Sequence, residues 1–283
     1  MIRPAPPIDS PVAPVAPVKN SADCVCRMPE NAADAPPVLA TEGLGVSVGG
    51  RVILRDVSLR IAPRQVYGLV GPSGAGKSTL LRAFNRLLDL QPGYKVRGRV
   101  LFKGRDVCAS GEDADALRRR IGMVFQQPAV FPTSIAANVV FGARHHAPLT
   151  KAARAELVEE SLRQAGLWNE VKDRLAESAL RLSVGQQQRL CLARTLAVDP
   201  EVVLMDEPTS ALDARSTELI EQLILELRRT RTVVLVTHNL EQARRVTDWV
   251  TCLCPDADSA GRVLDSACCD AFFSNPACLR AFV

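Results

Sequence analysis

The sequence predicts an α/β fold: a largely parallel sheet, an antiparallel β subdomain ahead of it and an inserted helical subdomain. Three observations carry this. Apolar runs that suit strands buried on both faces lie at Val66–Val70, 202–205 and 233–236, each followed by a helical pattern. Val57, Leu59 and Ile61 instead alternate with polar neighbours, the mark of a strand with one wet face. Between residues 128 and 182 the pattern is helical alone.

The elements follow in order. Residues 1–37 hold nine of the 19 prolines and few large apolar groups, too little to offset the entropy of ordering. Residues 1–38 are therefore expected to be a disordered Pro/Ala-rich tail, ahead of one folded unit at 39–283. Strand patterns begin at Leu39. After the run at Val66–Val70, Leu80, Phe84, Leu87 and Leu88 share one helical face, and that helix is expected to reach Pro92-Gly93. A β stretch around Val100 and Phe102 precedes an apolar strand at 121–125, ending at Gln126. The helical insertion, about 129–182, contains a helix at 151–165 that stops at Gly166 and resumes at 168–175. From Gln186 the alternation returns: helix to 197, strand 202–205, helix 217–229, strand 233–236, and a helix from Leu240.

The chemistry sits at two ends of these strands. Gly71-Pro72-Ser73-Gly74-Ala75-Gly76-Lys77-Ser78-Thr79 is a complete G-x-x-x-x-G-K-S phosphate-binding loop, with a strand before it and a helix after it. Its backbone N–H groups and the positive helix end face phosphates. Lys77 reaches the β- and γ-phosphates, and the Ser78 hydroxyl ligates magnesium. Asp206 and Glu207 follow four apolar residues, so they emerge at the edge of the sheet where ligands bind. Asp206 is placed to hold Mg²⁺ and Glu207 to polarise an attacking water. These motifs specify a P-loop NTPase core that binds a nucleoside triphosphate with Mg²⁺.

Composition narrows the class further. The formal charge of +4 is modest, and Arg118-Arg119-Arg120 reads as the solvated end of a helix. No aromatic residues interleave that cluster, so no nucleic-acid partner is expected. Nine cysteines is an odd number, which argues against a disulfide framework. Cys24 and Cys26, Cys252 and Cys254, and Cys268 and Cys269 lack the usual Cys-x₂₋₄-Cys ligand spacing and read as buried or incidental thiols. No apolar run approaches the ~18–20 residues that cross a bilayer, and the start lacks the apolar core of a secretory signal. The expectation is a cytosolic protein, or one attached to a membrane through partners.

Leu182-Ser183-Val184-Gly185-Gln186-Gln187-Gln188-Arg189 resembles the signature motif of ATP-binding cassette ATPases. Gln126, the loop Ser210-Ala211-Leu212-Asp213 and His238 agree with that family in order and spacing. Leu80-Leu81-Arg82-Ala83-Phe84-Asn85-Arg86, Leu167-Trp168-Asn169-Glu170-Val171-Lys172-Asp173-Arg174-Leu175 and Phe131-Pro132-Thr133-Ser134-Ile135 resemble the ATPase subunit of bacterial phosphate importers. The resemblance spans roughly 39–250 and implies a homodimer of cassettes, head to tail around two ATP molecules. Ser183 and Gly185, with Gln186 and Asp213, would meet the nucleotide held by the partner's phosphate loop. Glu207 would be the general base, His238 would hold the γ-phosphate and water, and Gln126 would link magnesium to the helical insertion. Two membrane-spanning permease subunits are the implied partners, at the cytoplasmic face of the bacterial inner membrane, with a solute-binding protein engaged indirectly.

Three positions depart from the family pattern. Val184 stands where a second glycine is usual, which would cost about 1–3 kcal/mol if the position needed positive φ. Val46-Ser47-Val48-Gly49 lacks the aromatic ring that stacks on adenine, a loss of about 1–3 kcal/mol in binding. Ala129-Val130 replaces a usual Asn-Pro. A cassette that binds nucleotide for regulation, without turnover, is the alternative that the first two departures suggest.

Overall fold

The computed structural model describes residues 36–145 and 148–275. Most of the expected tail, Cys24, Cys26 and His146 lie outside these residues, as does the end of the chain from 276 onward. Val38, assigned to the tail, is buried in the core, and its N–H donates to the Ile61 carbonyl at 2.8 Å.

Strands β1 (Leu39–Val48) and β2 (Arg51–Ile61) form an antiparallel pair, and β4 (Tyr94–Phe102) joins the other edge of β1 with the short β5 (Arg105–Asp106) beyond it. Val57, Leu59 and Ile61 point inward, while Asp56, Ser58 and Arg60 stay exposed, as the alternation requires. The parallel part holds β3 (Val66–Val70), β6 (Ile121–Val124), β7 (Val202–Asp206) and β8 (Thr232–Val236). Every residue of β3, β7 and β8 is buried, because helices cover both faces.

Two strands near the C-terminal end lie beyond the elements that the sequence pattern predicts. β9 (Trp249–Pro255) runs parallel beside β3, and β10 (Gly261–Cys268) turns back antiparallel against it. A parallel bridge from Gly261 to Leu54 then joins β10 to β2. The result is one ten-stranded sheet, in the order β5-β4-β1-β2-β10-β9-β3-β8-β7-β6, across the described residues.

The helix after the phosphate loop, α1 (Lys77–Phe84), is shorter than expected. Arg86 takes a left-handed φ of 58°, and a 3₁₀ turn at Leu87–Leu90 follows. The Arg86 guanidinium explains the break, since it donates to Asp89 and to the carbonyls of Val107 and Glu112. Leu80, Leu81 and Phe84 still bury one face completely, each worth about 1.5–3 kcal/mol. Helix α2 (Ala114–Arg120) ends in the three arginines, of which Arg118 bonds Asp115 and the Arg86 carbonyl.

The helical insertion follows β6. It comprises α3 (Ile135–Val139), α4 (Lys151–Gln164) and α5 (Trp168–Val171), with Gly166 at φ 61° after α4, where the sequence stops the helix. Buried Asn138 pins the preceding loop: its Oδ1 accepts from the Phe131 N–H, and its Nδ2 donates to the Phe131 and Ser134 carbonyls. Helix α6 (Val184–Leu196) packs the insertion against the sheet, α7 (Ala214–Leu227) lies against β8, and α8 (Leu240–Val246) lies against β3 and α7. The last element among the described residues, α9 (Cys269–Ser274), caps a small cluster around Val70, Cys252 and Phe272. Against the expectation of thiols throughout, Cys268 takes part in a disulfide.

Candidate functional site

The strand order β3-β8-β7-β6 places the ends of four parallel strands side by side, and each end carries one piece of the site. The phosphate loop leaves β3, His238 lies two residues past β8, Asp206 ends β7 with Glu207 next to it, and Gln126 lies two residues past β6. Together they border a cleft of about 710 Å³, lined by Ile53, Gly71, Pro72, Ser73, Gly74, Gly76, Lys77, Ser78, Thr79, Gln126, Glu207 and His238. Ala75 is buried behind the loop and Asp206 beneath it.

The loop can only run this way with glycine at its start. Gly71 has φ 147°, and a Cβ there would stand 2.0 Å from the Leu253 carbonyl oxygen. The start of α1 has Gly76 as its cap and no side-chain cap hydrogen bond, so its first-turn N–H groups remain available to an anion. Lys77, 6% exposed, donates to the carbonyls of Gly71 and Pro72 at 2.8 and 2.9 Å. Burial pulls its pKa down, and the nearby carboxylates of Glu207 and Asp206 oppose that pull. An anion entering the loop meets this ammonium at the cost of two carbonyl contacts.

Ser78 Oγ donates to Asp206 Oδ1 at 2.8 Å. Burial holds the Asp206 carboxyl above its ordinary pKa, and the Ser78 hydrogen bond works against that. Glu207 is the one site residue held in a strained backbone, at φ 45°, fixed by its N–H donating to the Val236 carbonyl. Its Oε2 lies 2.9 Å from His238 Nδ1 and accepts a 3.4 Å hydrogen bond from Gln126 Nε2. A carboxylate, an imidazole and an amide therefore converge on one point beside the loop, the arrangement that general-base activation of a water needs.

Ser183, Gly185, Gln186 and Asp213 are brought together elsewhere, and none borders the cleft. Ser183 and Gln186 form a reciprocal capping box at the start of α6. Asp213 caps α7, accepting from the Ser216 N–H and hydroxyl, and these bonds lower its pKa. A Cβ on Gly185 would meet Ser216 Oγ at 2.6 Å, so any larger residue there must displace the Ser216 side chain from the cap it makes with Asp213. The expected strain at Val184 is absent. That residue lies inside α6, is not among the positive-φ residues, and its side chain is 47% exposed.

Two residues escaped the sequence reading. Ile53 lines the cleft where Val48 does not. Gln188 is buried and donates to the Phe125 carbonyl at 3.0 Å, which ties α6 to the residue before Gln126. Three consecutive glutamines gave a signal for it, but only the fold shows which one turns inward.

The family described as "ABC transporter" matches residues 54–210. The chain is 48% identical over 245 residues to the phosphate import ATP-binding protein PstB 3 of Synechocystis sp., covering 87% of this chain and 90% of that protein. It is equally similar to the phosphate import ATP-binding protein PstB of Rubrobacter xylanophilus, over 86% of each chain. Among solved structures, cbiO1 from Clostridium perfringens, part of the cbiONQ transporter complex, superposes with a TM-score of 0.73 at 28% identity, over 87% of this chain and 94% of that one. The ATP-binding cassette MJ0796, solved as a dimer with ADP and Pi, gives 0.69 at 30% identity, over 82% and 98%. With its phosphate loop, its paired carboxylates and its capped signature helix all in the arrangement described above, the chain belongs to the ABC transporter family.

Proposed function

We propose that this chain is the ATP-hydrolysing subunit of a phosphate importer. The observation that carries the hydrolytic part is the convergence of Glu207, His238 and Gln126 beside a complete phosphate loop. The solute rests on the names of relatives that match most of the chain.

In this reading the loop from Gly71 to Thr79 wraps the triphosphate, with Lys77 exchanging its two carbonyl partners for phosphate oxygens. Ser78 and Asp206 offer hard oxygen donors already 2.8 Å apart, which suits Mg²⁺. Bound there, Mg²⁺ neutralises phosphate charge. Glu207 accepts the proton of the attacking water, while His238 and Gln126 orient the carboxylate.

Ser183, Gly185, Gln186 and Asp213 act on the nucleotide of a second copy. Ser183 and Asp213 are exposed and Gln186 half-buried around the buried Gly185, and none of the four has a task inside its own cleft. ATP bound between two copies favours the closed pair because only that state supplies both sets of contacts. The helical insertion passes this closure to two permease subunits, with Gln126 at its root. In this reading the subunit sits peripherally, at the cytoplasmic face of the inner membrane; no described helix is long and apolar enough to cross a membrane. A regulatory cassette without turnover is the second reading, and the relaxed backbone at Val184 removes one of its two supports.

The test is phosphate uptake by cells or vesicles carrying the chain with its cognate permease. Uptake and ATP hydrolysis that rise together, and are both lost in Lys77→Ala, support the proposal. Uptake of another solute, or uptake indifferent to Lys77, contradicts it.

A further inference from the structure

Directly under the phosphate loop lies a pair of cysteines that hydrolysis does not use. Cys252 and Cys254 are two residues apart on β9, so both side chains leave the same face of the strand. Their sulfurs are 3.5 Å apart, and neither forms a disulfide. Cys252 is buried and pairs with Val70, the last residue before the loop. Cys254 is half-buried and is the one a small solute reaches first.

The residue between them supports the loop. The Leu253 carbonyl fills the space where a Gly71 side chain would be, so the loop's first residue rests on the backbone that joins the two thiols. The ladder from β9 to β10 also shifts register at Leu253 and Cys252, so this stretch is already irregular. The Cys254 thiol is drawn down to about 7, chiefly by its hydrogen bond with Cys252, against burial and with help from the Lys77 ammonium. Thiolate, the attacking form, is therefore well populated at neutral pH.

We propose that Cys252 and Cys254 are a modification site for a hydroperoxide, and that their disulfide closes the phosphate loop to nucleotide. The Cys254 sulfur attacks one oxygen of hydrogen peroxide: an S–O bond forms, the O–O bond breaks, and the departing hydroxide takes up a proton as water. Cys252 then attacks the sulfenic sulfur. An S–S bond forms, the S–O bond breaks, and the released hydroxide leaves with the Cys252 proton as a second water. Two electrons pass from the thiols to the peroxide. Disulfides favour Cα separations of about 5.5–6 Å, whereas alternate residues of an extended strand lie ~6.6 Å apart. Closing the bond shortens β9 at Leu253 and shifts the carbonyl on which Gly71 rests.

The gating half rests on the nucleotide reading of the loop, and the test separates the two. The full chain is treated with hydrogen peroxide, remaining thiols are alkylated, and the tryptic peptide 246–262 is weighed; it carries Cys252 and Cys254 and no other cysteine. MgATP affinity is measured on the same samples. The expected result is a peptide lacking two hydrogens and unalkylated, with affinity lowered at least about tenfold and both restored by dithiothreitol. Cys254→Ser should bind MgATP like the reduced wild type, before and after peroxide. Two alkylated thiols after treatment, an intact disulfide with unchanged affinity, or a Cys254→Ser protein that still loses affinity would each overturn the proposal. Reduced wild type that binds no MgATP overturns the nucleotide reading and the gating with it, while the peptide mass still judges the dithiol.

Discussion

Glu207 and Asp206 are neighbours in sequence to which the proposed function gives different duties, and substitution separates them. Glu207→Gln keeps the shape and the His238 and Gln126 contacts but loses the basicity, so steady-state hydrolysis should fall by roughly 10²–10⁴ while ATP binding persists. Unchanged turnover would remove Glu207 from the role of base. Asp206 is buried, and its raised pKa means that the fold holds its proton more tightly than the unfolded chain does. The sign follows: the ionised carboxylate costs stability at every pH above that raised value. Asp206→Asn should therefore melt higher in the absence of nucleotide, by about 0.5–2 kcal/mol, while Mg²⁺-dependent hydrolysis is lost. A lower melting temperature would show that Asp206 is a structural partner of Ser78 and not a metal ligand held in reserve.

Among the elements, α5 and α6 are held together by one ion pair. The Glu170 carboxylate accepts from Arg189 at 2.6 and 3.2 Å and from Gln186 at 2.8 Å, and the Arg189 side chain is only 6% exposed. Burial raises the Glu170 pKa, but those bonds outweigh it and hold the carboxyl below its ordinary value of 4.5. Glu170→Gln leaves a buried guanidinium without its counter-charge. The cost should be about 1–2 kcal/mol, less than a fully buried pair because Glu170 is partly solvated. A depressed pKa stabilises above the unfolded value and is lost as pH falls through the folded one. The gap between wild type and variant should thus be constant above about pH 5 and shrink in acid below the ordinary 4.5. A gap that widens in acid would assign the stabilisation to something other than this pair. The same scale shows what the sequence could tell. The buried runs of β3, β7 and β8 were legible because a strand covered on both faces is apolar throughout. β9 was not, because its run is interrupted by Thr251, Cys252 and Cys254, and only the fold shows that Thr251 and Cys252 are buried among its apolar residues. The early end of α1 depends on carbonyls more than 20 residues away that capture Arg86, which no local pattern encodes.

In the whole molecule, the cleft and the patch at the head of α6 lie apart, and the order β3-β8-β7-β6 explains why sequence spacing alone could not reveal which residues meet. The phosphate loop was readable as one continuous motif. The meeting of Gln126, Glu207 and His238 was expected only through resemblance, because three strands must first line up. Residues 1–35 are proline-rich and carry none of the site motifs, and their composition does not favour a core. Their removal should leave melting temperature and hydrolysis close to those of the full chain, by calorimetry and phosphate release; a large drop in either would assign the segment a packed role. In the proposed function the hydrolytic site is split between two copies of the chain. Sedimentation of Glu207→Gln, with and without saturating MgATP, tests it directly, since slowed hydrolysis preserves the closed state. The expected result is the 30.6 kDa chain alone without nucleotide and twice that mass with it. A chain that binds MgATP fully and still sediments at 30.6 kDa would contradict it.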